Sequence, residues 1–316
     1  MFAVCIESSH QKGMGHLFRA LNFIEYLESK KEKYVVVLND DAKAKEILQN
    51  KNIPVETVSL DDVSGDWETR IIQQYKISVW VNDRLDTKEQ HSRNVKKNNI
   101  HLVSFDDTGD GAALADINFG MMPCNYGKSL NGKIIKRGID FFILNKDVGK
   151  YKRKRKEMKR ILVTLGGSDT YGVTLKVAER LKHLNCDATI VAGPSFIHTK
   201  ELEVISNGHF KIKKSLSSLV AEFHEHDLSI TGGGITPFEA NACGLPCLII
   251  ANEPHEVENG KFLQQLGSSD YLGYYSDIDF DYLLTKEYNI DEMSKLGMEH
   301  IPDDGVERVY NEIIKL

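Results

Sequence analysis

No run of apolar residues in this chain approaches the roughly 20 needed to cross a bilayer as a helix. The N-terminus leads straight into a strand-like pattern at residues 2–6, with no basic segment before an apolar stretch of the secretory kind. Together these point to a cytoplasmic protein. Cysteine is sparse and unpatterned: five residues, Cys5, Cys124, Cys186, Cys243 and Cys247, with no C-x-x-C spacing. Reduced, mostly buried thiols are expected, which excludes a disulfide framework and argues against zinc. An excess of positive charge is missing as well. Forty Lys and Arg stand against 46 Asp and Glu, a net charge of −6, which argues against nucleic acid as a partner. A nucleophilic-serine elbow, a Walker A loop and a dinucleotide G-x-G-x-x-G are all absent. The acidic pairs after residue 105 lack the glutamate a calcium loop needs, so no metal is expected. One local exception to the charge balance is the basic stretch 150–160. It reads first as a solvated linker, and alternatively as a contact for an anionic membrane surface or a polyanionic glycan.

What is present is an alternation of short apolar runs with amphipathic stretches. Strands are expected at 2–7, 34–39, 77–82, 101–105 and 141–144, then at 160–165, 188–192, 210–213, 228–231 and 247–251. Several, such as Tyr-Val-Val-Val-Leu and Pro-Cys-Leu-Ile-Ile-Ala, are continuous rather than alternating, as in parallel sheets covered on both faces. Helical spacing recurs between them, for instance Leu17, Ala20, Leu21, Ile24 and Leu27. The 316 residues accommodate two domains, divided near the basic stretch into 1–148 and 149–316, with a final helix from residue 305. The expected class is α/β, two Rossmann-like doubly wound domains with a cleft between them.

Ligands of open α/β sheets sit beyond the carboxyl ends of the strands, so the loops there are the informative segments. The first holds Gly13-Met14-Gly15-His16-Leu17-Phe18-Arg19, in which glycines open a helix beside a histidine. A neutral imidazole at a helix start is placed to accept a proton, which makes His16 the catalytic candidate. A later loop, Gly232-Gly233-Gly234-Ile235-Thr236-Pro237-Phe238-Glu239, bares backbone N–H groups for a diphosphate. Glu239, one turn into that helix, has the reach to grip a ribose diol. Across the loops the residues expected at the ligand are Gly13, Gly15 and Arg19; Asp83; Asp107; Gly167 and Ser168; Gly233, Gly234, Ile235, Thr236 and Glu239; and His255, Glu256 and Asn259. Asp83 is equally a strand-end cap, and Ser168 and Asp169 are equally helix caps. His224 and His226 read as structural.

This ordered set, Gly13-x-Gly15-His16-x-x-Arg19, Phe105-Asp106-Asp107, Gly166-Gly167-Ser168-Asp169 and the 232–239 turn followed by Gly244-Leu245-Pro246, resembles the UDP-sugar hydrolases of the pseudaminic acid pathway. It is also similar to the spore-coat polysaccharide proteins, which belong with the peptidoglycan GlcNAc transferase among GT-B-fold proteins. The resemblance implies a UDP-sugar substrate, with the nucleotide held mostly by the C-terminal domain. It implies His16 as the base that activates water at the anomeric carbon. The products would be UDP and a free diacetamido-trideoxy sugar for nonulosonic acid or surface polysaccharide synthesis, with no cofactor. The alternative on the same scaffold is a glycosyltransferase that passes the sugar to a glycan or lipid acceptor. The chain departs from the hydrolase pattern at Cys5-Ile6-Glu7, at Asp83-Arg84-Leu85 and at His255-Glu256, where those enzymes carry an Asn-Gln pair.

Overall fold

Unbroken apolar runs need no polar face, and they dictate parallel pairing here. In the computed structural model, which describes residues 1–8, 15–62, 64–125, 127–167, 169–193, 195–214, 216 and 218–316, every strand pair is parallel. The chain runs β1 (Phe2–Ile6), α1 (Gly15–Ser29), β2 (Tyr34–Leu38), α2 (Ala42–Asn50), β3 (Val55–Thr57), α3 (Trp67–Tyr75), β4 (Val79–Asp83), α4 (Glu89–Lys96), β5 (His101–Phe105), β6 (Ile117–Gly120) and β7 (Ile134–Arg137). It continues with β8 (Ile161–Thr164), α5 (Val173–His183), β9 (Ala188–Ala192), α6 (Thr199–Ser206), β10 (Lys211–Lys214), α7 (Leu219–Glu225), β11 (Leu228–Thr231) and α8 (Thr236–Ala242). The last elements are β12 (Cys247–Ala251), α9 (Pro254–Gln265), β13 (Ser269–Tyr274), α10 (Ile290–His300) and α11 (Gly305–Ile313). Two compact units result, Met1–Leu144 with Asp304–Leu316, and Asn145–Asp303.

Among the described residues the first unit carries a seven-stranded sheet in the order β3-β2-β1-β4-β5-β6-β7. The second carries a six-stranded sheet in the order β10-β9-β8-β11-β12-β13. In each, the chain moves outward from its first strand, then returns and continues on the other side. The reversal falls between β1 and β4 in the first unit and between β8 and β11 in the second. Ligands of doubly wound sheets bind at such a reversal. Topology thus selects the loops after β1, β4, β8 and β11.

Burial explains the elements. β1, β9 and β12 are buried at every position. α5 turns Val173, Val177, Ala178 and Leu181 inward at helical spacing, onto a core that includes Val163, Ile190, Leu248 and Ile250. Each such Val, Leu or Ile side chain is worth about 1.5–3 kcal/mol when fully buried. In the first unit Trp67, Ile71, Trp80, Val95 and Leu102 make the corresponding cluster.

Two expectations are corrected. Residues 141–144 are not a strand: a 3-10 turn at Ile139–Phe141 leads into irregular backbone in which Phe142, Ile143 and Leu144 are buried. The sheet edge is β7 instead, where Ile134 and Ile135 are exposed and Lys136 and Arg137 follow. A charged edge strand lacks the apolar run by which a central strand is read. The final helix, expected within 149–316, belongs to the first unit. α11 buries Val309 and Ile313, and its Tyr310 ring lies 5.5 Å from that of Tyr26 and 6.5 Å from that of Phe2.

A Cβ placed on Gly305 would lie 2.1 Å from the Phe142 carbonyl oxygen. Gly305→Ala is therefore expected to lower the unfolding free energy by about 1–3 kcal/mol, the usual cost of overpacking. The midpoint of urea unfolding checks this, and an unchanged midpoint would mean that α11 is not seated against that carbonyl.

Candidate functional site

In the first unit α1 and the end of β4 bring three of the expected residues together. His16 Nδ1 donates to Asp83 Oδ1 at 2.6 Å. Arg19, one turn further along α1, donates from Nε to Asp83 Oδ2 at 3.0 Å and from Nη2 to Oδ1. Its Nη1 reaches Asp106 Oδ2 at 2.5 Å. Burial alone would raise the Asp83 carboxyl, but Arg19 and His16 outweigh it and hold the carboxyl at about 2. Burial alone would lower Arg19, and the two carboxylates carry it above its ordinary value instead. An ionised Asp83 only accepts, so Nδ1 must carry a proton, and in the neutral ring the lone pair is on Nε2. The Arg19 Nη2 approach to Nδ1 at 3.5 Å is then a contact between two donors, not a bond.

Exposure distinguishes this pair from the other one in the same unit. His16 is 26% exposed while Asp83 is fully buried. His91 donates from Nδ1 to Glu68 Oε1 at 2.8 Å, but those side chains are 1% and 0% exposed. The His91 Nε2 lies 3.1 Å from the Asn82 side chain. That second pair fastens α3 and α4 over β4. Of these two carboxylate-held rings, it is that of His16 that is part-exposed.

The acidic pair after β5 divides its work differently from the sequence expectation. Asp107 faces inward: its carboxylate accepts from the backbone N–H groups of Thr87 at 3.1 Å and Gly109 at 3.0 Å, and from the Ser104 hydroxyl at 3.2 Å. Burial raises its carboxyl despite these bonds. It braces the loop. Asp106, its neighbour, is the residue that joins Arg19, and it also accepts from the Met121 N–H at 2.9 Å. Its φ of +54° turns the two carboxylates apart. Gly15 opens α1 and is exposed, whereas Gly13 lies outside the described residues.

In the second unit the loop after β8 is open backbone. A Cβ on Gly166 or Gly167 would meet nothing within 4 Å. Asp169 takes the capping role, accepting from the N–H groups of Val173 at 2.9 Å and Thr174 at 2.7 Å. Ser168 lies outside the described residues.

The turn after β11 is built tightly. Asn259 of α9 is fully buried, and its amide donates to the Gly233 carbonyl at 2.9 Å. A Cβ on Gly233 would lie 2.6 Å from the Glu256 carbonyl oxygen, so only glycine fits there. Gly234, Ile235 and Thr236 are partly buried, and Pro237 follows in the first turn of α8. Beneath the turn the buried Thr231 Oγ1 and Asn252 Oδ1 have no hydrogen-bond partner among the described residues. Glu239 is partly buried and accepts from the Asn145 N–H at 3.2 Å. Burial pushes its carboxyl up to about 7. Glu256 accepts from the Asn252 N–H at 2.8 Å, while His255 beside it is exposed.

The basic stretch 150–160 is largely spoken for inside the second unit. Lys152 pairs with Asp303, Arg153 with Asp227 and Lys154 with Asp291, each at 2.9 Å. Arg155 is buried and donates to the carbonyls of His226, Cys243 and Phe223. No spacing in the sequence separates Arg155 from its exposed neighbours. The five cysteines are free. Among the described residues no group of three or more His, Cys, Asp or Glu is placed to hold a metal ion, and no helix is long and apolar enough to cross a membrane.

No family model matches the chain. It is 25% identical to an uncharacterized protein of Methanocaldococcus jannaschii, over 96% of this chain and 71% of that one. It is 22% identical to the spore coat polysaccharide biosynthesis protein SpsG of Bacillus subtilis, over 84% and 82% of the two chains. Among solved structures it is similar to MurG of Acinetobacter baumannii, with a TM-score of 0.74 at 14% identity, covering 100% of this chain and 99% of that one. The glycotransferase of kitacinnamycin gives 0.67 at 13% identity, covering 99% and 98%. A UDP-GlcNAc 2-epimerase of Neisseria meningitidis bound to UDP-GlcNAc gives 0.62 at 11% identity, covering all of both chains. The fold is α/β of the GT-B type, two Rossmann-like units.

Asp83 sits below its reference value of 3.8, so its charge contributes stability above about pH 4 that is lost as pH falls toward about 2. Asp83→Asn removes that acid dependence and leaves Arg19 half-paired, at an expected cost of about 3–5 kcal/mol. Urea unfolding of the two proteins at neutral and acid pH tests both effects, and equal stability at both would show that the charge holds nothing.

Proposed function

We propose that this chain is a GT-B-fold enzyme acting on a UDP-sugar, transferring the sugar to an acceptor hydroxyl with His16 as general base. The observation that carries this reading is the Asp83-held imidazole, whose Nδ1 is committed at 2.6 Å and whose ring is part-exposed. The similar proteins support the substrate class: one is named for spore coat polysaccharide biosynthesis, one is a glycotransferase, and one is an epimerase bound to UDP-GlcNAc.

His16 Nε2 takes the proton from the acceptor O–H as that oxygen bonds to the sugar C1 and the C1–O bond to the diphosphate breaks. The electron pair leaves with the diphosphate. Asp83 stays ionised throughout and stabilises the imidazolium. Arg19 is buried and each of its three nitrogens bonds Asp83 or Asp106, so its part is to position Asp83. The N–H groups of the 232–236 turn receive the charge that grows on the diphosphate, which is the larger electrostatic task. Glu239 is assigned to the ribose. No cofactor is required.

Water in place of the acceptor gives hydrolysis of a UDP-linked diacetamido-trideoxy sugar, the reaction implied by the motif resemblance. The exposed edge of His16 supports either nucleophile, and the glycotransferase similarity favours transfer. The same base serves both, so the acceptor decides.

UDP release from UDP-GlcNAc and from a UDP-diacetamido-trideoxyhexose, with and without glycan and polyprenyl-linked acceptors, separates the two readings. Transfer predicts release that depends on acceptor. Equal release without one, with free sugar formed, replaces transfer by hydrolysis. In either case His16→Ala should lower kcat by about 10²–10⁴-fold while UDP affinity stays near the wild-type value. Full activity in that variant would remove His16 from the chemistry.

A further inference from the structure

The glycine turn after β11 already holds an anion. The Glu256 carboxylate accepts from the Asn252 N–H at 2.8 Å, and the Gly233 N–H also bonds to it. A Cβ on Gly232 would lie 3.5 Å from each of its oxygens, and one on Gly234 would lie 3.6 Å from Oε1. The carboxylate is thus framed by the glycines whose N–H groups are assigned to the diphosphate. It is also tethered, because the Glu256 backbone carbonyl and Cβ abut Gly233 itself.

Two anions competing for one set of N–H donors repel at close range, and the tether limits how far Glu256 retreats. A proton resolves the conflict. Neutral, the carboxyl becomes an O–H donor and turns from a competitor into a partner for a bound oxygen. Burial already raises this carboxyl in the free protein, and a second anion beside it raises it further. The titratable groups that bear on it are His255, which lowers it from its own helix, and Tyr274 at the end of β13. Glu239 follows the same turn on α8. Neither Asn252 nor the glycines titrate.

We propose that Glu256 is an internal anion of the 232–234 turn, and that binding of an anionic diphosphate there takes up a proton at its carboxyl. This rests on the reading of that turn as the diphosphate site. The proton comes from solvent, and after binding it lies between the Glu256 carboxyl and a phosphate oxygen. The chain's departure to His255-Glu256 thereby becomes a determinant of when the site binds.

UDP-GlcNAc is the probe, since its diphosphate diester has no titrating proton between about pH 6 and pH 8.5, where a free terminal phosphate would titrate. Calorimetry of the full chain in two buffers of different ionisation heat counts the protons taken up. The wild type is expected to take up a proton on binding at the upper end of that range. Its Kd should weaken about tenfold per pH unit once Glu256 is ionised in the free protein. Glu256→Gln, and independently Glu256→Ala, should lose the proton uptake and the tenfold weakening per pH unit seen in the wild type, and bind more tightly than wild type at pH 8.5. A flat wild-type profile with no proton uptake overturns the proposal and leaves the nucleotide reading standing. A slope that survives in both Glu256 variants also overturns it. No binding by wild type or variants at any pH overturns the nucleotide reading, and the proposal with it.

Discussion

Each unit is organised around a guanidinium that has no access to water. In the first, Arg19 satisfies Asp83 and Asp106, and so ties α1 to the ends of β4 and β5. In the second, Arg155 is held by backbone carbonyls around α7 and α8. A buried charge stripped of its partners costs several kcal/mol, so these contacts admit little slack. The consequence for function differs between the two. Arg19 fixes a carboxylate that in turn fixes a histidine, whereas Arg155 fixes the scaffold under a turn.

The two units meet charge in opposite ways. Around His16 the protein supplies the fixed negative charge of Asp83, which on the proposed reading suits a group that becomes positive as it accepts a proton. Around the 232–236 turn it supplies backbone N–H groups, one of which already meets the Glu256 carboxylate, and on the proposed reading they face a group that becomes negative. A leaving diphosphate and a protonated base are the two charges that a sugar transfer at C1 creates. Within the first unit Arg19 holds Asp83 against His16, and within the second Asn259 holds Gly233, so on the proposed reading each unit meets its own charge with groups already fixed by neighbours.

The doubly wound sheets were legible because burial on both faces leaves long apolar runs, and because glycine turns mark where strands end in ligand loops. His16, Arg19 and Asp83 could be selected from their places after β1 and β4, since a parallel sheet brings those ends together. What escaped was what depends on geometry finer than spacing. Asp106 and Asp107 are adjacent and chemically identical, and their spacing alone does not tell which one meets Arg19. Asn259 was expected at the ligand, but its amide is spent holding Gly233. The edge strand β7 and the return of α11 to the first unit leave no apolar signature of the kind that marks a central strand.

Glu256 shows how a departure from a family pattern can carry more information than agreement with it. Residues that match a pattern report the fold, which many chemistries share. A carboxylate where an amide is expected changes the electrostatics of the turn without disturbing its shape, because the two side chains are nearly isosteric. The amide would offer the turn both a donor and an acceptor at every pH. The carboxylate offers only acceptors until it takes a proton, and it sits where a diphosphate needs donors. The residues that agree thus speak to the fold, while on the proposed reading the one that departs sets the conditions under which the site fills.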